Sequence, residues 1–123
     1  MKIGARWLIG VALALAVLPI ALERSVAQTV FFSSVEDLPL MPGLREVVDE
    51  GMVFDKPEGR IVEVIAIGAV SREAVTKFYN ATLPELGWEQ TGSGNFSRSG
   101  EVLRYRLSAV EAEASVRFTI APD

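Results

Sequence analysis

"RIVEVIAIGAVSREAVTKFYNATLPELGW", residues 60–88, carries a strand, a helix and the opening of another strand, and its reading decides the fold. Residues 60–67 are rich in Ile and Val, with one internal charge, Glu63, between Val62 and Val64. An apolar run of β-branched residues describes a central strand covered on most of both faces. Gly68 ends that run, and Ser71 is placed to cap a helix whose first turn holds Glu73, where a negative charge suits the helix dipole. Val75, Phe78, Tyr79, Thr82, Leu83 and Leu86 then recur at helical spacing and form one apolar stripe. Pro84 has no N–H for the carbonyl four residues back, so the regular helix is expected to stop or kink near Thr82. Gly87 stands where a helix terminator is favoured, and Trp88 opens the next strand.

Upstream, Met52–Asp55 reads as a strand joined to Arg60–Ile67 through the turn "KPEG", in which Pro57 presets one dihedral and Gly59 permits another. Downstream the period becomes two. "WEQT" leads through "GSGN" to "FSRS", and a second tight turn is expected at Gly100 and Glu101. Leu103, Tyr105 and Leu107 then alternate with Arg104, Arg106 and Ser108, and Val116, Phe118 and Ile120 with Ser115, Arg117 and Thr119. Such alternation marks an antiparallel sheet with one covered and one solvated face. The expected fold is α+β, a two-layer sandwich of one helix on an antiparallel sheet of four to five strands, in the order β-β-α-β-β-β. The helix stripe covers the face of Leu103, Tyr105 and Phe118, leaving the arginines on the other.

The N-terminus has a different character. Lys2 and Arg6 precede an uncharged apolar run, Trp7 to Leu22, which is followed by "ERSVAQ" with small residues at Ser25 and Ala27. This is the pattern of a secretory signal cleaved after Ala27. The alternative is a retained membrane anchor, although the run is shorter than a typical span and contains Pro19. Three segments are therefore expected: a signal peptide over 1–27, an extended N-terminal arm over 28–43, and one α+β domain over 44–123. Pro39 and Pro42 favour extended backbone in the arm. Phe31, Phe32, Leu40 and Met41 are too apolar for a solvated linker. They either pack back on the domain or form a contact for another envelope protein or a membrane surface.

Composition narrows the function. Without Lys2, Arg6, Arg24 and Glu23, the 12 basic and 16 acidic residues of the chain become 9 and 15, a net charge of −6. An acidic surface repels a phosphate backbone, so nucleic acid is not an expected partner. The chain has no cysteine and no histidine. The second absence removes Ser-His-Asp and Cys-His catalysis, the usual zinc sites and the 2-His-1-carboxylate iron site. No cofactor and no metal are expected, and the protein is read as a non-enzyme, monomeric or homodimeric, in the periplasm or secreted. Glu63 remains a candidate acid or base if buried, or a partner for an arginine. The glycine-rich "GSGNFSRSG" lacks the Gly-Lys-Ser/Thr ending and the following helix of a phosphate loop. Arg104, Arg106 and Arg117, with Arg98 as a further candidate, form a local basic patch in an acidic protein. It either binds a carboxylate or an anionic headgroup, or pairs across strands with Glu89, Glu101 or Glu113.

Two resemblances bear on these expectations. "DLPLMPGL", "FDKPEGRIVE", "VTKFYNATLPELGW" and "RSGEVLRY", in that order behind a signal-like segment, resemble a group of small exported alphaproteobacterial proteins. That group has no assigned activity, so the resemblance implies export and no catalytic residues. The β-α-β-β-β order of residues 60–120, with an aromatic pair late in the helix, resembles one module of the vicinal-oxygen-chelate group. Two such modules make a cup whose strand-borne His or Glu binds a metal. This chain has one module, no His, and Glu63 as its one acidic residue on the first strand. What the resemblance implies is a metal-free dimeric cup for a small ligand.

Overall fold

The computed structural model describes residues 28–123. The expected signal segment over 1–27, with its cleavage site or anchor, lies outside the described residues. Within them the strands are β1 (Val30–Phe32), β2 (Val35–Leu40), β3 (Arg45–Glu46), β4 (Met52–Lys56), β5 (Gly59–Gly68), β6 (Glu89–Gly92), β7 (Asn95–Arg98), β8 (Glu101–Val110) and β9 (Glu113–Pro122). A helix, α1 (Arg72–Glu85), joins β5 to β6, and a single 3₁₀ turn spans Val48–Glu50. No helix among the described residues is long and apolar enough to cross a membrane.

The class is α+β, with antiparallel pairing throughout. The main sheet has seven strands, more than the four to five expected, in the order β3-β5-β9-β8-β7-β6 with β4 also on β5. The excess comes from two short pieces. Arg45 and Glu46 pair with the far end of β5, so β3 and β4 share one edge of it. β6 and β7 pair as a separate short hairpin whose register shifts between Gln90 and Gly92. The turn before β8 lies at Ser99–Gly100, one residue earlier than expected. Both have positive φ, the geometry of a two-residue hairpin that follows the strand twist.

The helix forms as the residues dictate. Ser71 Oγ accepts from the Ala74 N–H at 3.0 Å. Val75, Tyr79 and Leu83 are buried on one side. The helix runs on to Glu85, past the expected stop near Thr82, because Pro84 falls in the last turn and removes one intrahelical bond only. The final carbonyls are then closed by a Schellman arrangement. Gly87 N–H donates to Pro84 O (3.1 Å) and Trp88 N–H to Leu83 O (3.1 Å), with Gly87 at φ +90°. At the other end of α1, a Cβ on Gly68 would lie 2.0 Å from Gly43 O, so β5 and the Pro42–Leu44 segment approach at a distance that excludes any side chain.

One face of the sheet is closed. Val62, Val64 and Ala66 of β5 lie against Ile120, Phe118 and Val116 of β9, which in turn face Leu103, Tyr105 and Leu107 of β8. Tyr79 packs edge-on to Phe118 at 4.7 Å between ring centroids, and Phe32 does so from the other side at 5.4 Å. The stretch 28–43, expected to be an extended arm, is thus the β1–β2 hairpin, and its Phe32, Val35 and Leu38 belong to the same core as the helix stripe. The Tyr79 hydroxyl donates to Pro39 O (2.8 Å) and accepts from the Met41 N–H (3.1 Å). These bonds satisfy the backbone beside Pro39 that has no strand partner. Burial holds the Tyr79 phenol well above its ordinary range.

Candidate functional site

The opposite, outer face is built by the alternation of β5, β8 and β9. The pairing sets Arg104 against Thr119 and Arg106 against Arg117, with Asn95 beside Arg104 on the β7 side. Directly opposed residues of an antiparallel pair lie about 4.5–5.5 Å apart at Cα, so Arg106 and Arg117 present like charges to each other. Arg104, Arg106, Arg117 and Thr119 line a shallow depression of about 210 Å³. A neighbouring depression of about 250 Å³ adds Ser93 and Asn95.

Ion pairing decides the character of this face. Arg117 donates through Nη1 to Glu63 Oε1. Glu63 is therefore engaged by a cation on the sheet surface rather than isolated in an apolar strand. Of the glutamates expected as partners for the other arginines, Glu113 and Glu101 are committed elsewhere, Glu101 on the inner side of the sheet, and Glu89 is in no ion pair among the described residues. Glu113 takes both hydrogen bonds of the Arg45 fork (2.7 and 3.0 Å), and Glu101 takes two from Arg60 (3.0 and 3.3 Å). The hydrogen bond from Arg45 holds the Glu113 carboxyl below its ordinary value and raises the guanidinium above its own. Among the described residues no carboxylate pairs with Arg104 or Arg106. Both side chains are exposed.

The remaining expected contact residues are scattered by the fold. Phe32 is 2% exposed beneath the hairpin and presents nothing to a partner; Phe31, one residue earlier, is 43% exposed on the other side of β1. Leu40 and Met41 are half-buried against the core. They line a cleft of about 550 Å³ with Val30, Leu44 and Phe78, between the open end of the β1–β2 hairpin and β3. Its two charged neighbours are already paired, Arg45 with Glu113 and Glu46 with the Ser33 N–H and hydroxyl. Apart from Gln28 and Thr29, the walls left free are apolar.

Arg98, grouped with the basic patch by its charge, stands on the other side of the sheet. Arg98 pairs opposite Glu101 and shares the parity of Phe96. Its guanidinium lies 4.2 Å over the Trp88 ring, donates to Leu86 O at the helix terminus (2.9 Å), and pairs with Asp37 of β2 (2.6 Å). It joins helix end, hairpin and β7. The earlier signals for this role were Trp88 and the Schellman glycine, since both place an aromatic face and unpaired carbonyls at the point β7 passes.

Among the described residues no three acidic side chains gather closely enough to hold a metal ion. Compared with known proteins, the chain matches no family model, no curated protein and no solved structure.

Proposed function

We propose that the protein is an exported, non-enzymatic envelope module that binds an anionic membrane surface through Arg104, Arg106 and Arg117. The observation that supports this reading is the Arg106–Arg117 opposition beside an unneutralised Arg104. Folding gains nothing from opposed guanidinium groups, whereas a phosphate oxyanion between them accepts charge-assisted hydrogen bonds from both. The local basic face is also the exception on an acidic chain, so electrostatic attraction to an anionic surface is confined to one orientation. The signal-like N-terminus and the resemblance to exported proteins support the location.

Vesicle co-sedimentation tests it. Binding is expected to vesicles containing anionic phospholipid, to weaken with added salt, and to disappear in Arg104→Glu/Arg106→Glu with the fold intact. Equal binding to purely zwitterionic vesicles, or binding indifferent to the double variant, contradicts the reading.

The apolar cleft supports a second reading, as a site for a small uncharged apolar ligand. Its volume of about 550 Å³ lies within the range of ligand pockets, and both adjacent charges are spoken for. Calorimetry with a medium-chain alcohol, against Met41→Trp as a variant that fills the cleft, separates this reading from the first.

A further inference from the structure

The two edges of the main sheet are finished differently. β6 ends one side with Glu89, Gln90 and Thr91 and with a register shift, devices that blunt an edge against further pairing. β4 ends the other side with an unbroken register along β5, and every one of its residues is exposed. Met52, Val53 and Phe54 are 43%, 48% and 53% exposed, three consecutive apolar side chains on an open edge. Among the described residues nothing pairs on the free side of β4.

The direction of the free backbone groups follows from the register. Val47 N–H donates to Ile65 O, so the odd-numbered residues of β5 turn their backbone groups toward this edge. Met52, Phe54 and Lys56, opposite Glu63, Ile61 and Gly59, are consequently the residues bonded to β5. Val53 and Asp55 turn their N–H and C=O groups outward.

We infer that β4 pairs antiparallel with β4 of a second copy of this chain, with Val53 opposite Val53. The register selects this occupant because it is self-complementary. It sets Met52 against Phe54, Asp55 against Gly51, and the exposed Lys56 against the exposed Glu50 of the copy, each twice by symmetry. The Val53 N–H and C=O groups satisfy one another, and each Asp55 N–H meets the Gly51 carbonyl of the copy. The Gly51 N–H is already used within the 3₁₀ turn, on Val48 O. No like charges face each other across this seam. The register one step along, centred on Phe54, sets Glu50 against Glu58, and the next sets Asp55 against Asp55; both fail on that count.

The twofold axis of such a pair stands perpendicular to the sheet. The two sheets become one, and their outer faces point the same way. The dimer itself is independent of what those faces bind.

Sedimentation velocity across a dilution series tests the inference on the purified protein. A reversible dimer is expected. Phe54→Lys is expected to give a monomer with an unchanged circular dichroism spectrum, since the side chain is exposed, while Gln90→Lys on the blunted edge leaves the dimer in place. Lys56→Glu sets two like-charged pairs across the seam and is expected to weaken association about tenfold. Adding Glu50→Lys restores it, because only a self-paired edge exchanges both partners at once. A monomer at every concentration overturns the inference, as does a dimer insensitive to Phe54→Lys. Failure of Glu50→Lys/Lys56→Glu to recover what Lys56→Glu loses overturns the register and the self-pairing with it.

Discussion

On β8 and β9 the same alternating backbone serves two unlike surfaces. Tyr105 and Phe118 face each other on the inner side, and on the next step Arg106 and Arg117 face each other on the outer side. The inner pair lies within an aromatic group completed by Tyr79, Phe32 and Phe96, and no buried side-chain polar atom among the described residues lacks a partner. The outer pair sets two guanidinium groups against each other, with Arg117 offset by Glu63 and Arg106 without a carboxylate partner among the described residues. The inner face is arranged for stability. The outer face keeps an arrangement that stability alone does not favour, and this is the physical ground for assigning it a binding role.

The difference can be broken by substitution. The largest loss is expected from Phe118→Ala, which removes the ring that Phe32, Tyr79 and Tyr105 all contact, at about 3–5 kcal/mol in denaturant unfolding. Trp88→Ala belongs in the same range, since the ring is 3% exposed and carries Arg98 on its face. Tyr79→Phe keeps the packing and strands Pro39 O and the Met41 N–H, for about 1–3 kcal/mol. If that substitution is silent in urea melts, the hairpin is not held to the helix as described.

On the outer face the expected sign reverses. Arg106→Thr relieves the opposition with Arg117 and should leave stability unchanged or raise it by a few tenths of a kcal/mol, while lowering retention on anionic vesicles. A clear loss of stability would show that the face is structural after all. The smallest effect belongs to Glu113→Gln. The depressed Glu113 carboxyl stabilises the fold above the ordinary carboxylate range, and that contribution disappears as the pH falls through its lowered value. The melting difference between wild type and this variant should therefore be slight at neutral pH and absent in acid.

The elements visible in the sequence are those whose neighbours are close along the chain. The stripe from Val75 to Leu86, the β4–β5 hairpin and the alternation of β8 and β9 each repeat a local period, and each forms where expected. The hairpin β1–β2 has no such period. Its place is set by Phe118, Tyr79 and Arg98, all distant along the chain, as the separations of 40 for Tyr79–Pro39 and 61 for Arg98–Asp37 show. For the same reason the basic face was legible as residues and not as a site. Arg104, Arg106 and Arg117 follow from alternation, but the commitment of Glu113 to Arg45 and Glu101 to Arg60 depends on which strands become neighbours. Arg98 is grouped with the patch by charge alone; its alternation with Phe96, two residues earlier, already puts it on the inner side.

The place of β9 has a consequence in time. It lies between β5 and β8, yet it is the last of the described strands to leave the ribosome. Until Glu113–Pro122 is available, β5 and β8 have no common neighbour, and Phe118 is missing from beneath both the hairpin and the helix. A nascent chain therefore holds its earlier described segments without a joint core until β9 has emerged. If the proposed export runs through a channel that admits only unfolded polypeptide, this order of assembly extends the interval in which the chain is competent to pass.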